Sequence, residues 1–328
     1  MRGRVIRTTG SWHTVALRGD GEGAGRELVE CRARGSLKQM GYRSTNPIAV
    51  GDWVDVELPE GKGAPGVIVG IEARRNYIIR RATNLSKESH ILAANVDRAL
   101  LMVTLCRPRT SLTFVDRFLA SAEAYSIPVT LVFNKTDLLS GEQWGELEYV
   151  EGIYSGMGYE VVETALSEKR FKLKTKSEKL RTESEKLKLT PGTVTVVCGN
   201  SGVGKSTLIN VLLGEERLKT APISEAHGLG MHTTTYAEMV ELPGGGYVID
   251  TPGVKGFGSV DMEPEEIGSY FRDIFEIGRG CRFSNCSHIN EPGCEVLRAL
   301  EEHRLAPSRY GSYLSMRGDK EEGKYRMT

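Results

Sequence analysis

The sequence has no long apolar run and no excess of charge of either sign. No stretch approaches the roughly 20 apolar residues that a membrane-spanning helix needs, and the start, MRGRVIRTTG, has no apolar core of the signal-peptide kind. We therefore expect a cytoplasmic protein with no membrane partner. The 43 Lys and Arg balance the 43 Asp and Glu, which excludes a protein coated uniformly in positive charge.

Cysteine is scarce, and its distribution is uneven. Of the six cysteines, Cys31, Cys106 and Cys198 stand alone, as is typical of buried small apolar side chains. The other three fall within fourteen residues. In a reducing cytoplasm, such crowding indicates a metal site rather than disulfides.

Length and pattern predict a multidomain α/β protein with three parts. Residues 1–82 contain five short alternating or β-branched runs separated by glycine-rich turns, which predict a small closed barrel of the oligonucleotide-binding (OB-fold) class. Residues 83–258 alternate buried strands with amphipathic helices, at about 112–126 and 142–157, and predict a mostly parallel sheet covered on both faces. Residues 259–328 predict a small helical domain around the cysteine cluster.

Two segments are dense in charged residues. Residues 74–89 are basic and broken by turn formers, which predicts a linker. Residues 168–190 are dense in Lys and Glu, with Leu173, Leu180 and Leu187 seven residues apart. This thin apolar stripe predicts a solvated helix that leans on the sheet, because it is too short for a coiled coil.

The N-terminal module is basic. Residues 1–90 contain 15 Lys and Arg against 10 Asp and Glu, and barrels of this class often bind RNA through basic and aromatic faces. An alternative is a barrel with a purely structural role. The RNA interpretation depends on Arg2, Arg4, Arg7, Arg32, Arg34, Lys38 and Arg43.

The strongest motif is a phosphate-binding loop between a predicted strand, TVTVVC, and a predicted helix. Glycines let the backbone N–H groups surround phosphate oxygens at the start of the helix. The Lys of the motif neutralises the β- and γ-phosphates, and its Ser hydroxyl ligates Mg²⁺. The loop consists of Gly199, Asn200, Ser201, Gly202, Val203, Gly204, Lys205, Ser206 and Thr207.

Two switch segments follow in the expected order. Asp250 ends an apolar strand in YVIDTPG and suits a carboxylate that holds Mg²⁺ through water, while the N–H of Gly253 can meet the γ-phosphate. Between the two motifs, one of Thr233, Thr234 and Thr235 is expected to complete the Mg²⁺ shell.

The stretch NKTD predicts a guanine reader. The carboxylate of Asp137 can accept hydrogen bonds from N1–H and the 2-amino group of guanine, a donor pair that adenine lacks. Asn134 is expected to hold the acceptor edge of the base, and the stem of Lys135 to lie along the ring. The N–H of Ala165 is our candidate for the guanine oxygen.

The base reader precedes the phosphate loop, whereas guanine-nucleotide switches usually have the reverse order. A parallel sheet tolerates a new chain start when the old ends lie close and a linker joins them. The sequence therefore predicts a circular permutation, with residues 168–190 in the place of the joining linker. The switches then stand directly before the third domain, where their movement would act on it.

The cysteine cluster has metal-ligand spacing. Three thiolates and one imidazole form a closed tetrahedral zinc set, which predicts one structural Zn²⁺ that stabilises a small domain. The pattern C-x4-C-x-H-x5-C consists of Cys281, Cys286, His288 and Cys294.

The barrel, the motif order N-K-x-D, phosphate loop, H-T-T-T and D-T-P-G, and the C-x4-C-x-H-x5-C cluster together resemble the bacterial ribosome-small-subunit-dependent GTPase A family, RsgA or YjeQ. The likeness spans essentially the whole chain. It implies an enzyme that converts GTP to GDP and phosphate, binds the 30S ribosomal subunit, is stimulated by it and acts late in its maturation. It also implies that the barrel and the zinc domain contact 16S rRNA. We expect a monomer.

The predicted catalytic residues differ from those of many GTPases. Val254 stands where a water-orienting glutamine is often found, and His232, which matches the switch histidine of the family, is the candidate to position the attacking water. Lys205 is the second catalytic candidate. An alternative function is a nucleotide-gated RNA-binding module with incidental hydrolysis. A metabolic phosphate-loop kinase is disfavoured, because no acceptor-substrate motif accompanies N-K-x-D.

Overall fold

Five short strands at the start of the chain close into a barrel. They are β1 (Arg2–Thr9), β2 (Trp12–Leu17), β3 (Leu28–Ala33), β4 (Trp53–Glu57) and β5 (Gly66–Ile71). Strand β1 pairs with both β2 and β4, and β5 joins β3 to β4, so the ring has no open edge. Val5, Val15 and Ile68 fill its interior, as the alternating pattern predicts. The predicted closed barrel is confirmed.

The structure is a computed structural model. It describes residues 1–17, 27–35, 37, 47–59, 64–81, 89–166, 172–174, 187, 189–218, 236–252 and 262–321.

The predicted linker at residues 74–89 is wrong. Strands β6 (Tyr77–Arg81) and β7 (Ser89–Ala94) form an antiparallel ribbon. Ile78 and Ile79 are buried, and the ring centroid of Tyr77 lies 4.3 Å from that of Tyr125. Apolar packing of this short run outweighs the basic residues that follow it.

A second sheet carries the middle of the chain. Its order is β11-β10-β9-β8-β12-β14-β13, and the five strands from β10 to β14 in that order are parallel. The strands are β8 (Arg98–Val103), β9 (Val129–Phe133), β10 (Glu160–Ala165), β11 (Lys172–Lys174), β12 (Val194–Gly199), β13 (Glu238–Glu241) and β14 (Tyr247–Asp250). The mostly parallel sheet is as predicted.

Three helices accompany this sheet: α1 (Leu112–Ala124), α2 (Gly141–Gly156) and α3 (Lys205–Leu213). The side chain of Ser111 accepts a hydrogen bond from the Phe114 N–H and caps α1. Ser140 and Gln143 cap α2 reciprocally, side chain to backbone. The two helices predicted near 112–126 and 142–157 are confirmed.

The helix predicted for residues 168–190 is wrong where the structure describes it. Lys172–Lys174 is a strand antiparallel to β10, because the edge of the sheet offers backbone hydrogen-bond partners that local helical preference does not outweigh. Leu187 is fully buried, and its carbonyl accepts a hydrogen bond from the guanidinium of Arg98 at 3.2 Å. Leu180 and most of the segment lie outside the described residues.

The two sheets are continuous. Strand β1 of the barrel also pairs with β13, with Arg7 opposite Glu238, while Glu238 stands opposite Asp250 of β14. The barrel is thus joined by backbone hydrogen bonding to the strand that neighbours the Asp250 motif.

The C-terminal part is helical, as predicted, and contains α4 (Arg272–Gly278), α5 (Glu295–Glu301) and α6 (Pro307–Glu321). Arg309 of α6 is 1% exposed and donates to Asp116 of α1 at 2.7 Å and to Asp273 of α4 at 2.9 Å. The hydroxyl of Tyr154 in α2 donates to the same oxygen of Asp116 at 2.7 Å. A buried charge network therefore fastens this part to the middle domain. No helix in the described part of the chain is long and apolar enough to span a membrane.

Helix α2 is rich in glycine, and replacing two of these residues by Ala is expected to stabilise it. A Cβ added at Gly145 or Gly152 meets no atom within 4 Å. Each Gly→Ala change should raise the free energy of opening α2 by about 0.5–1 kcal/mol, because Ala loses less backbone entropy on folding. Hydrogen exchange in α2 should slow accordingly. Gly158 is the control: its φ is 79°, so Gly158→Ala should instead destabilise. Faster exchange in Gly145→Ala would contradict the prediction.

Candidate nucleotide-binding site and metal centre

The phosphate loop connects β12 to α3 and is pressed against neighbouring strands. Gly204 has φ 103°, and a Cβ there would lie 2.4 Å from Nδ2 of Asn134. Gly199 has φ 144°, and a Cβ there would lie 2.6 Å from the carbonyl oxygen of Met102. Both positions require glycine for conformation and for space.

The lysine of this loop is folded back on the loop. Lys205 Nζ donates to the carbonyls of Gly199 at 3.0 Å and Asn200 at 2.7 Å. Burial lowers the pKa of Lys205, and Asp250 acts in the opposite direction. Ser206 at the start of α3 and Asp250 at the end of β14 are also buried. These side chains therefore gather around the loop, and Ser206 and Asp250 offer the oxygen ligands that Mg²⁺ prefers.

The base-reading loop meets the phosphate loop. Asn134 is buried, and its Nδ2 donates to the carbonyl of Val203 at 2.8 Å. Lys135 has φ 64°, and its Nζ donates to the carbonyl of Gly202 at 2.7 Å. Asp137, in a 3-10 turn at Thr136–Leu138, is exposed. The two motifs, inverted in sequence, thus converge in space, with an exposed carboxylate beside them.

A threonine that sequence reasoning did not assign fixes the base reader. Thr164 is fully buried at the end of β10, its hydroxyl donates to Oδ1 of Asn134 at 2.8 Å, and its carbonyl accepts from the hydroxyl of Thr136 at 3.2 Å. Ala165 follows it and pairs with Lys172 of β11. The sequence contained a signal for this role, because Thr164 is a polar residue near the end of an apolar strand and directly precedes the candidate Ala165.

Thr164→Val is expected to weaken GTP binding about tenfold. The change removes the hydroxyl that orients the Asn134 amide while keeping side-chain volume, and one such hydrogen bond, left with a buried unsatisfied partner, contributes about 1.4 kcal/mol, which is a factor of ten. Thr195→Val is the matched control, because the Thr195 hydroxyl is buried without a hydrogen-bond partner among the described residues. Calorimetric titration with GTP checks both variants. Equal affinities for the two would refute a positioning role for Thr164.

The switch residues lie outside the described residues: His232, Thr233, Thr234, Thr235, Gly253 and Val254. The structure does describe both flanks of the first switch. On one side, Oδ1 of Asn210 accepts from the N–H of Leu218 at 2.8 Å, and its Nδ2 donates to the carbonyl of the same residue at 2.8 Å. On the other side stands β13.

The four predicted metal ligands come together. Sγ of Cys281 lies 3.6 Å from Nδ1 of His288 and 3.9 Å from Sγ of Cys294, and all four ligand atoms, including that of Cys286, lie within 4.8 Å of one another. Ligands about 2.3 Å from one tetrahedral zinc ion stand about 3.8 Å apart. The cluster therefore fits a single ion.

A carboxylate organises the loop that carries His288. The N–H groups of Ser287, Ile289 and Asn290 donate to Glu291 at 2.7–3.1 Å. Desolvation raises the pKa of Glu291, but hydrogen bonds from the hydroxyl of Ser287 and from the N–H groups of Ser287 and Ile289 lower it to about 2. The loop is thus held in shape by its own acceptor, which favours a preformed metal site.

The barrel arginines assigned to RNA are engaged within the protein. Ion pairs join Arg2 to Glu72, Arg7 to Glu30 and Arg34 to Glu57. The other described ones, Arg4 and Arg32, lie over the rings of Trp53 and Trp12. Lys38 and Arg43 lie outside the described residues.

Two protein-family models match this chain. The model of the RsgA GTPase family matches residues 71–260, and that of the RsgA N-terminal domain matches residues 2–68. The chain belongs to the RsgA GTPase family. GTP hydrolysis is the activity of this family, and a guanine nucleotide is the ligand expected between the converging loops.

Relatives of the RsgA family match along the full length. The small ribosomal subunit biogenesis GTPase RsgA of Phocaeicola vulgatus is 50% identical over 326 residues, 99% of each chain, and that of Bacteroides fragilis is 51% identical over 327 residues, also 99% of each. The crystal structure of YjeQ from Thermotoga maritima matches with a TM-score of 0.67, 32% identity and 97% of both chains covered. YloQ, described as a circularly permuted GTPase, matches with a TM-score of 0.66, 26% identity and coverage of 99% of this chain and 96% of YloQ. The predicted family and fold are confirmed.

Proposed function

We propose that this RsgA family member binds GTP between its base-reading and phosphate loops and hydrolyses it during biogenesis of the small ribosomal subunit. The observation that carries the proposal is the 2.8 Å hydrogen bond from Asn134 to the carbonyl of Val203. It joins a base reader and a phosphate loop, which lie far apart in sequence and in inverted order, into one site.

Each loop has a distinct role in this proposal. The carboxylate of Asp137 selects guanine, Ala165 contributes its N–H to the guanine oxygen, and the N–H groups of residues 199–207 surround the phosphates. Lys205 exchanges its two carbonyl partners for phosphate oxygens, whose negative charge favours the ammonium form that burial disfavours. Ser206 and Asp250 hold Mg²⁺, directly and through water.

The switch roles are proposed from sequence. Thr234 or a neighbouring threonine completes the Mg²⁺ shell, the N–H of Gly253 meets the γ-phosphate, and His232 positions the attacking water. In His232→Ala, subunit-stimulated GTP turnover should fall towards the rate of the free protein. Unchanged stimulated turnover would remove the histidine from the mechanism.

The metal centre is proposed to hold one structural Zn²⁺, because three thiolates and one imidazole leave no open position for a substrate. The purified protein should contain one zinc per chain by elemental analysis, and Cys294→Ser should lose it and destabilise residues 262–321. Cys106→Ser, outside the cluster, should retain the ion. Full occupancy in Cys294→Ser would contradict the ligand set.

The proposed partner is the 30S subunit, with 16S rRNA contacted by the barrel and the zinc domain, and the protein acts as a monomer in the cytoplasm. The full-length relatives named for small-subunit biogenesis support this partner. The deciding experiment compares GTP turnover with and without 30S subunits, together with co-sedimentation in GDP and in a non-hydrolysable GTP analogue. Stimulation and triphosphate-dependent binding to 30S are expected.

A phosphate-loop variant tests whether GTP hydrolysis is needed for release from the ribosomal subunit. Ser206→Ala should bind subunits and release slowly, because a ligand of Mg²⁺ is lost and turnover falls. Normal release by Ser206→Ala would favour the alternative, a nucleotide-gated RNA-binding module in which hydrolysis is incidental.

A further inference from the structure

A groove of about 1070 Å³ opens on the barrel, outside the nucleotide and metal sites. Its lining includes Trp12, Leu28, Leu58, Pro59 and Pro65. Leu28 is 59% exposed and Leu58 40% exposed. Two leucines that face solvent within one concave, proline-lined surface are typical of an interaction site rather than of ordinary protein surface.

The charge of this groove does not suit a phosphate backbone. Glu27 and Glu30 line it together with a single cation, Arg7, which lies 3.8 Å from Glu30. Among residues 1–72 that the structure describes, five Arg stand against six Asp and Glu. The basic excess of the N-terminal sequence therefore lies outside the described barrel. Nucleic-acid affinity depends on cations that neutralise phosphates, and this face supplies no such excess.

The aromatic residue of the groove is also partly engaged. The guanidinium of Arg32 lies 3.9 Å from the ring centroid of Trp12, so one face of the indole is covered by a cation of the same barrel. A base-stacking platform needs an open ring face, and only the opposite face of this indole can offer one. The remaining apolar surface suits aliphatic side chains.

We propose that this groove binds an extended segment of a protein partner that carries apolar side chains and at least one Lys or Arg. Leu28, Leu58 and the prolines take the apolar side chains, and Glu27 pairs with the cation. The proposal rests on the proposed function, since the partner is a protein component of the 30S particle.

A charge reversal at Glu27 distinguishes a protein ligand from an RNA ligand, because the two predict opposite changes in affinity for 30S subunits. Glu27 is exposed, so Glu27→Lys leaves the fold intact, and unchanged GTP affinity verifies this. With a cationic protein segment in the groove, Glu27→Lys weakens binding to 30S subunits several-fold; with RNA there, it tightens binding. Glu148→Lys, an equally exposed reversal on α2, is the matched control and should change nothing.

A second variant removes apolar contact without altering charge. Leu28→Ser combined with Leu58→Ser should weaken 30S binding at least about tenfold, or about 1.4 kcal/mol, and leave binding to protein-free 16S rRNA unchanged. Co-sedimentation with a non-hydrolysable GTP analogue at fixed salt measures binding to 30S subunits and to protein-free 16S rRNA. Tighter binding by Glu27→Lys, equal loss on both targets, or no loss for the double serine variant would overturn the groove proposal. Failure of the unaltered protein to bind 30S would instead overturn the proposed function and remove the stated source of the partner.

Discussion

GTP binding by an Asp137→Asn variant is expected to weaken at least about a hundredfold, while binding of xanthosine triphosphate strengthens. In the proposed site the exposed carboxylate of Asp137 accepts from N1–H and the 2-amino group of guanine. Replacing this charged acceptor by an amide loses one such bond and weakens the other, at a cost of about 3 kcal/mol. An Asn amide still accepts from N1–H, but its N–H₂ group opposes the amino group. Xanthine carries a carbonyl at that position, so the same amide becomes complementary to it.

Calorimetric titrations with GTP, ATP and xanthosine triphosphate measure this exchange. Glu142→Gln neutralises another exposed carboxylate close in sequence and should leave all three affinities unchanged. An Asp137→Asn protein that still prefers GTP over the xanthine nucleotide would show that the base is read elsewhere. The assignment of the nucleotide site would then fail, whatever the phosphate loop binds.

Arg309→Met is expected to release the C-terminal domain from the middle domain. Removing this guanidinium leaves Asp116 and Asp273 without the cation that they share. Breaking a buried pair by removing one partner costs about 3–5 kcal/mol, because the other charge stays buried. Desolvation already raises the pKa of Asp116, and Arg309 opposes that rise, so the loss of Arg309 would raise this pKa further.

Hydrogen exchange in α1 and α6 measures this release. Amides at their interface should exchange about a hundredfold or more faster, since each 1.4 kcal/mol is a factor of ten. Arg279→Met is the control, because Arg279 is 69% exposed and its ion pair within the described part of the chain is with Glu276, one turn away. Such exposed pairs contribute less than about 1 kcal/mol. Similar exchange in both variants would show that the buried network does not hold the domains together.

The local sequence pattern was sufficient to predict the strands and helices that have a regular apolar periodicity. The strands of the barrel follow from alternation, as in Val54 and Val56, which are buried on either side of exposed Asp55. The meeting of the two nucleotide loops followed from chemistry, because a guanine reader and a phosphate loop serve one ligand. The spacing of the three cysteines and His288 likewise predicted that they form a cluster.

Contacts between distant segments were not predictable from local pattern. Arg309 and Asp116 are 193 residues apart, and nothing near either residue marks it as half of a buried pair. The ribbon of β6 and β7 was missed because basic residues obscured the apolar run at Ile78 and Ile79. The strand at Lys172–Lys174 was missed because a sheet edge, which the sequence does not display, outweighs local helical preference.

The pairing of β1 with β13 gives the first switch a fixed end point. Glu238 is held between Arg7 and Asp250, and a slip of one residue would turn every side chain of β13 to the opposite face. At the other end, Asn210 clamps Leu218. The anchor that precedes the switch threonines in sequence thus belongs to the helix after the phosphate loop, and the anchor that follows them is hydrogen-bonded to the barrel. We therefore expect a partner that displaces the barrel to act on the first switch through β13.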